Sequence, residues 1–130
     1  MAALSLSFVD DNEADHVLLE EALDELGLSA CGRHFLDADE FLAALKCGEV
    51  TPDAVITDLN MPGRDGFDLI RAVRACPAWG TLPVLVFTTS GAEEDRARAA
   101  AVGADGYFVK PDSTRALVGV LKAMIHVLEQ

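Results

Sequence analysis

The alternation of strands and helices along this chain predicts an α/β fold: a doubly wound (βα)5 sandwich with a five-stranded parallel sheet. Apolar runs of strand length alternate with amphipathic segments of helix length throughout the sequence. Most of these apolar runs are continuous, which is typical of strands whose two faces are both covered by helices. A chain of 130 residues is long enough for one domain with a sizeable core. We therefore expect residues 1–130 to form a single domain with no second domain attached.

The first half of the chain contains three predicted strands and two predicted helices. Leu18, Ala22 and Leu26 recur at helical spacing and mark the buried face of the first helix. Asp37 stands three residues before Glu40, which is an Asp version of the capping box that begins a helix. The predicted strands are Leu4–Val9, Ala30–Phe35 and Ala54–Thr57, and the helices are Glu13–Leu26, ending at Gly27, and a second one that runs through Lys46.

The second half of the chain continues the alternation with two more strands and three helices. Ser113 is a suitable N-cap for the last helix, and Leu117, Leu121, Met124 and Leu128 form its apolar stripe. The predicted helices before it are Gly66–Ala75 and Glu93–Val102, and the strands are Pro83–Phe87 and Gly106–Val109.

The charge and composition of the chain exclude several classes of function. It carries 22 acidic and 10 basic residues, a formal net charge of −12, and no basic run of the kind that binds nucleic acid. It has no apolar run of about 20 residues and no evident signal peptide, so we expect a cytoplasmic protein without a membrane partner. His16, His34 and His126 lie far apart, without metal or relay spacing, and we expect surface or partner contacts for them.

Side chains suited to a charged ligand follow four of the five predicted strands. Asp10 and Asp11 follow the first strand, Asp58 the third, Thr88 the fourth and Lys110 the fifth. Ligands of parallel sheets bind outside the carboxyl ends of the strands, so we expect these groups to meet. Two carboxylates about 4 Å apart repel each other by roughly 4 kcal/mol at an effective dielectric of 20, and a cation relieves this repulsion. Mg²⁺ is commonly bound by carboxylate and phosphate oxygens. Lys110 adds a positive charge that can attract an anion.

Asp58 is the residue best placed to react with a phosphoryl group. It follows the third strand of five, which is central by order of appearance. A carboxylate can attack phosphorus and form an acyl phosphate. We therefore expect Asp58 to be the nucleophile and also to touch the metal. Asp10 and Asp11 are expected to bind Mg²⁺, joined by the backbone carbonyl of Asn60.

Taken together, these motifs resemble the receiver domain of response regulators in two-component signalling, of the stand-alone type. The resemblance extends over essentially the whole chain and implies a flavodoxin-like (βα)5 fold. The intervals fit as well: 47 residues from Asp11 to Asp58 (58 − 11), 30 from Asp58 to Thr88 (88 − 58) and 52 from Asp58 to Lys110 (110 − 58). The matching residues are Asp10, Asp11, Asp58 with the segment 59–66 after it, Thr88, Tyr107, Lys110 and Pro111.

The resemblance implies a chemistry for the acidic residues. Asp58 resembles the phosphoacceptor, which takes a phosphoryl group from a phosphohistidine of a histidine kinase and slowly loses it to water. Asp11, with Asp10 beside it, resembles the acidic Mg²⁺ site, joined by the Asn60 carbonyl. The protein would then catalyse only its own phosphorylation and dephosphorylation, and would not be an enzyme with a separate substrate.

The resemblance also implies how a signal leaves the site. Lys110 resembles the lysine that contacts a phosphate oxygen, and Thr88 resembles the switch hydroxyl that moves towards the phosphate. Tyr107 resembles the aromatic residue that turns inward as Thr88 moves. This motion changes the surface of the fourth helix, fifth strand and fifth helix, which a downstream protein partner reads. The bond between Lys110 and Pro111 is typically cis in this family, an uncommon geometry in proteins.

The sub-family is indicated by two segments. Val9–Asp15 and Thr88–Ser90 are similar to stand-alone regulators paired with bacterial phytochrome kinases, and chemotaxis-type regulators are similar too. Asp112 departs from the family pattern, because an apolar residue is common after the Lys-Pro pair. An additional acid near the site puts the lifetime of the phosphoryl group in question.

The last helix is apolar around much of its girth. Val118, Val120, Ile125 and Val127 lie off its core stripe. A homodimer through the fourth helix, fifth strand and fifth helix would cover them. Burial of these side chains by their own domain is the alternative.

Functions of other classes make different demands on the same residues. A haloacid-dehalogenase-type phosphatase needs a second acid where this chain has Asn60. A flavin or nucleotide module needs a phosphate loop after the first strand, where Asp10 and Asp11 repel phosphate without a metal. A phosphorylation-independent adaptor would tolerate loss of the acids or the lysine. Within the receiver interpretation, a phosphorelay intermediate, a phosphate sink and a diffusible effector all remain open.

Overall fold

The structure, a computed structural model, describes residues 4–28 and 32–129. Strands and helices alternate strictly along these residues, as predicted. The elements are β1 (Leu6–Val9), α1 (Glu13–Glu25), β2 (Gly32–Phe35), α2 (Ala38–Lys46), β3 (Ala54–Thr57), α3 (Gly66–Ala75), β4 (Val84–Thr88), α4 (Glu93–Val102), β5 (Gly106–Val109) and α5 (Thr114–Leu128). No helix of the described residues is both long and apolar enough to cross a membrane.

The strands form one parallel sheet with the order β2-β1-β3-β4-β5. The predicted fold class is thereby confirmed, and β3 is the central strand. The register pairs Val9 with Thr57 and Thr88 with Val109. The carboxyl ends of four strands therefore lie side by side along one edge of the sheet.

Two apolar clusters cover the two faces of the sheet. On one face, Phe8, Ile56 and Leu85 pack with the buried side chains of α1 and α5. On the other face, Val55 and Val86 pack with those of α2, α3 and α4. Successive strand residues thus face opposite helical layers, which explains why the central strands are apolar at nearly every position.

The edge strand β2 does not follow the continuous apolar pattern of the central strands. Its sequence includes Arg33 and His34, and only its last residue, Phe35, is buried. An edge strand packs less completely than a central one, so it tolerates polar side chains. The first two residues of the predicted second strand, 30 and 31, lie outside the described residues.

Side-chain caps fix the beginnings of most helices. Asp37 accepts a hydrogen bond from the Glu40 amide, at 2.7 Å, and Ser113 accepts one from the Ala116 amide, at 3.1 Å; both predicted caps are confirmed. Asn12 caps α1. A reciprocal capping box that was not predicted from the sequence joins Asp65 and Asp68 at the start of α3.

The predicted buried face of α1 is wrong at one position. Leu18 is 39% exposed, whereas the buried residues of the helix are His16, Leu19, Ala22 and Leu23. The predicted stripe contained only apolar side chains, whereas a histidine occupies the first position of the buried face. Leu19, not Leu18, precedes Ala22 on that face.

Gly66 determines how closely α3 approaches the end of β3. Its amide donates to the carbonyl of Leu59 at 3.0 Å. A Cβ built on Gly66 overlaps the backbone carbonyl of Asp58 and comes within 2.8 Å of the Leu59 Cα. Because the neighbours are backbone atoms, only a glycine fits here.

We expect Gly66→Ala to lower the free energy of unfolding by about 1–3 kcal/mol, since the added methyl group forces backbone atoms apart. Gly119→Ala is the matched control: a Cβ on Gly119, in α5, meets nothing within 4 Å. That change should stabilise the protein by up to about 1 kcal/mol through helix propensity. Urea unfolding of both variants measures the difference, and equal effects would contradict the close approach of α3 to Asp58.

Candidate functional site

Three carboxylates meet where β1 and β3 end. Asp10, Asp11 and Asp58 each offer an oxygen, and these oxygens all lie within 4.8 Å of one another. Asp10 and Asp58 are buried, with 4% and 8% of their surface exposed, while Asp11 is exposed. Asp10 and Asp58 belong to adjacent strands, which is why the predicted grouping forms. Hard divalent cations such as Mg²⁺ favour oxygen ligands of this kind, with one side open to water.

Lys110, which follows β5, reaches into this acidic group. Its Nζ lies 2.7 Å from Asp10 Oδ2, 2.7 Å from Asp15 Oδ2 and 3.0 Å from Asp58 Oδ2. A lysine ammonium has three N–H donors, and these three carboxylates accept all of them. Lys110 was predicted from the sequence, whereas Asp15, from the first turn of α1, was not.

Burial raises the pKa of Asp10 above its ordinary value. The hydrogen bonds from Lys110 and the Asn12 amide and the charge of Lys110 act in the opposite direction but do not cancel the effect of burial. For Lys110 the balance is reversed: burial lowers its pKa, but hydrogen bonds and charge from the surrounding carboxylates raise it further, so the net shift is upward. The lysine therefore stays charged, and four carboxylates with one ammonium leave the site strongly negative.

The two buried carboxylates are held in the same manner. Asp58 Oδ1 accepts the Leu59 amide at 2.7 Å, and Asp10 Oδ1 accepts the Asn12 amide at 2.9 Å. In each residue the second oxygen faces Lys110. The Asp58 amide also donates to the Val9 carbonyl across the sheet, at 3.0 Å. Backbone groups thus fix the orientation of both side chains before any ligand arrives.

Thr88 and Tyr107 meet at a shared residue, Ser90. Thr88 is fully buried at the end of β4, and its hydroxyl oxygen accepts the Ser90 amide at 3.4 Å. The Tyr107 hydroxyl donates to the Ser90 carbonyl at 2.8 Å. The Arg96 guanidinium lies 4.5 Å from the centre of the Tyr107 ring. The resemblance already couples the two residues, and the structure adds Ser90 as the residue that both contact.

Two further expectations concern the rim of the site. Asn60 is exposed, two residues after Asp58, and its role as a metal ligand stays a prediction. The Lys110–Pro111 bond is trans, since no peptide bond between described residues is cis; the expectation of a cis bond is wrong for this structure. The trans form is the intrinsic preference before proline, by about 0.5–1 kcal/mol, and Lys110 reaches its three partners with it.

The expectation of surface or partner contacts is wrong for His16, and His34 lies in contact with it. His16 is buried, and its Nε2 lies 2.8 Å from the backbone carbonyl of Asp10. Its Nδ1 lies 2.7 Å from His34 Nδ1, and His34 Nε2 lies 2.6 Å from Glu20 Oε2. Because the backbone carbonyl only accepts, His16 Nε2 carries a proton. The chain of hydrogen bonds ties α1 and β2 to the turn that bears the site; His126, by contrast, is exposed.

We expect Asp10→Asn to stabilise the metal-free protein at neutral pH. The pKa of Asp10 rises on folding, so above its ordinary value of 3.8 the native state holds this proton more tightly than the unfolded chain does. The free energy of unfolding therefore falls as the pH rises from the pKa of Asp10 in the unfolded chain to its pKa in the native state. At higher pH the free energy of unfolding stays at this lower value. Asparagine keeps the shape of the side chain without its charge, so the variant should lack this dependence of the free energy of unfolding on pH.

Urea unfolding from acidic to neutral pH, with and without Mg²⁺, measures both effects. Mg²⁺ should stabilise the unsubstituted protein more than Asp10→Asn, because the variant loses a charged ligand. If the variant is instead less stable than the unsubstituted protein at neutral pH without metal, the ion pair with Lys110 outweighs the cost of burial.

Proteins with similar sequences include transcription and chemotaxis regulators. The chain is 38% identical over 120 residues to the phosphate regulon transcriptional regulatory protein PhoB of Rhizobium meliloti, covering 92% of this chain and 51% of that protein. The chain thus spans about half the length of that relative. It is 36% identical over 111 residues to the chemotaxis protein CheY-3 of Vibrio cholerae, covering 83% of this chain and 81% of that protein.

Solved structures with the same fold include regulators associated with light signalling. The phosphorylated cyanobacterial phytochrome response regulator RcpA superposes with a TM-score of 0.85 at 26% identity, covering 95% of this chain and 91% of that one. The response regulator RPA3017, from red light signalling of R. palustris, gives a TM-score of 0.84 at 26% identity and coverages of 95% and 92%. Residues 6–122 match the family model of the response regulator receiver domain. The chain therefore belongs to the response regulator receiver family.

Proposed function

We propose that this protein is a phosphoryl-accepting signalling switch, with Asp58 as the acceptor. The observation that carries the proposal is the setting of the Asp58 carboxylate. It is buried at the carboxyl end of the central strand, held by the Leu59 amide on one oxygen and by Lys110 on the other, and within 4.8 Å of two further acids. A carboxylate among acids and one ammonium is suited to a phosphoryl group that arrives with a dication.

In the proposed reaction an Asp58 oxygen attacks the phosphorus of a phosphohistidine on a histidine kinase. The new O–P bond gives an acyl phosphate as the N–P bond breaks, and the imidazole leaves with that electron pair. Asp10, Asp11 and Asp58, joined by the Asn60 carbonyl, would hold Mg²⁺, which supplies positive charge to the phosphoryl oxygens. Lys110 supplies a second positive charge from the side of β5. Attack by water on the acyl phosphate then restores the carboxylate.

In the proposed switch, a structural change spreads from the phosphoryl group to the surface of α4, β5 and α5. Phosphorylation adds about −1.5 to −2 units of charge and three acceptor oxygens. Thr88 moves to donate to one of these oxygens and gives up its bond with the Ser90 amide. Because Ser90 also holds the Tyr107 hydroxyl, the tyrosine is released to turn inward. The surface of α4, β5 and α5 then takes a second packing.

The proposal extends to the partners of the protein and to its localisation. The phosphoryl donor is a histidine kinase, of the phytochrome or the chemotaxis type, and a downstream protein reads the changed surface. We place the protein in the cytoplasm, where kinases find ATP. Asp112 lines a groove with Lys110 and Pro111, so it is positioned to influence how fast water reaches the acyl phosphate.

A homodimer through α4, β5 and α5 stays a hypothesis with weaker support. Val118 and Val120 are half-buried against their own core cluster. Val127 is 40% exposed and Val109, in β5, is 38% exposed. The domain itself therefore covers part of the apolar surface that suggested a dimer.

We expect incubation with acetyl phosphate and Mg²⁺ to add the mass of one phosphoryl group, and Asp58→Asn to abolish this gain. Intact-protein mass spectrometry measures it. Asp24→Asn, an exposed acid of α1, is the control and should still be phosphorylated. A gain that survives Asp58→Asn would overturn the assignment, and no gain in the unsubstituted protein would favour a phosphorylation-independent adaptor.

The switch can be followed at the one tyrosine of the chain. Protein labelled with 3-fluorotyrosine should give a single ¹⁹F resonance, which shifts on addition of Mg²⁺ and beryllofluoride as Tyr107 leaves the Ser90 carbonyl. In Thr88→Ala the beryllofluoride should still bind, while the shift should fall by more than half. An equal shift in Thr88→Ala would show that Tyr107 moves without the threonine.

A further inference from the structure

We propose that Asp15 is a positioning residue that competes with the incoming phosphoryl group for the ammonium of Lys110. Asp15 would thereby set the affinity of the site for Mg²⁺ relative to its affinity for anionic phosphoryl groups. This inference rests on the proposed function, since it concerns the same pocket. The strand-end rule does not point to this residue, because it lies on a helix.

The contact between Asp15 and Lys110 is short and well enclosed. Nζ lies 2.7 Å from Asp15 Oδ2, as close as it lies to Asp10 and closer than to Asp58. The Lys110 side chain is 10% exposed and that of Asp15 is 23% exposed. All three ammonium protons already have carboxylate acceptors. A phosphoryl oxygen therefore gains a hydrogen bond from Lys110 only when one carboxylate gives up its own.

Asp15 differs from the other two partners of Lys110 in its relation to the metal. Asp10 and Asp58 belong to the group of oxygens that can hold a dication, together with Asp11. A bound dication would neutralise part of the negative charge of these residues. Asp15 lies outside that group among the described residues, so its charge remains directed at the lysine in both states.

The position of Asp15 places its carboxylate at the N-terminus of α1. It stands in the first turn of the helix, and its amide donates to the Asn12 carbonyl at 3.1 Å. A carboxylate near the N-terminus of a helix is favoured by the helix dipole. Asp15 therefore holds a negative charge on α1 beside the Lys110 ammonium, which is the group that a phosphoryl oxygen would contact.

Two opposite consequences follow for Asp15→Asn. Asparagine keeps the size and an acceptor oxygen but removes one negative charge. The site should then bind Mg²⁺ more weakly, because less negative charge attracts the dication. It should bind anionic donors and phosphate analogues more tightly, because repulsion falls and Lys110 is released. A change of one charge at this range corresponds to an effect of about three- to tenfold in each direction.

Three measurements on the full chain test this inference. Calorimetric titration gives the Kd of Mg²⁺, a second titration at saturating Mg²⁺ gives the Kd of beryllofluoride, and phosphorylation by acetyl phosphate gives KM and kcat separately. In Asp15→Asn the Kd of Mg²⁺ should rise about three- to tenfold, while the Kd of beryllofluoride and the KM of acetyl phosphate should fall by a similar factor. Glu13→Gln is the matched control, because Glu13 is an exposed acid in the same helical turn.

The opposite signs separate a positioning role from a structural one. If Asp15→Asn weakens both Mg²⁺ and beryllofluoride, the residue only supports the fold of the site and the inference is wrong. If its effects match those of Glu13→Gln, general surface charge accounts for them and the inference is equally wrong. Failure of the unsubstituted protein to react with acetyl phosphate would instead strike at the proposed function, so the two failures are distinguishable.

Discussion

The ammonium of Lys110 is the point on which the arrangement of the site depends. Its contacts with Asp10, Asp15 and Asp58 join the ends of β1, β3 and β5 with the first turn of α1. Without a cation the buried carboxylates would repel one another and favour protonated or displaced side chains. The same contacts make the lysine unavailable to an anion until charge arrives to replace it. A dication and a phosphoryl group together would meet that condition. The dication would balance the charge of the carboxylates, and the phosphoryl oxygens would replace carboxylate oxygens as partners of Lys110.

The sheet supplies the geometry that makes this interaction possible. In the order β2-β1-β3-β4-β5 the strands that bear Asp10, Asp58, Thr88 and Lys110 are immediate neighbours. The parallel register places their carboxyl ends along one edge. Gly66 then lets α3 begin directly against the Asp58 backbone. Fold and site are therefore one construction, in which a shift of any strand by a residue would separate the charges.

The sequence predicted the parts of the site that follow from strands and missed those that follow from helical phase. Asp10, Asp58 and Lys110 were found because a residue after a buried strand has only one edge at which to lie. Asp15 was missed, His16 was expected at the surface or at a partner, and Leu18 was wrongly assigned to the core. All three lie on α1, where each residue is turned by about 100° from the one before it. Periodicity of apolar residues alone does not resolve that angle when a histidine fills a buried position.

The identity of the residue that carries the phosphoryl group is the central claim, and borohydride reduction tests it most directly. Borohydride converts an acyl phosphate on an aspartate to homoserine, and peptide sequencing by tandem mass spectrometry then locates the altered residue. After reaction with acetyl phosphate and Mg²⁺, homoserine should appear at position 58 and at no other acid. Homoserine at position 10, 11 or 15, or at none, would contradict the account.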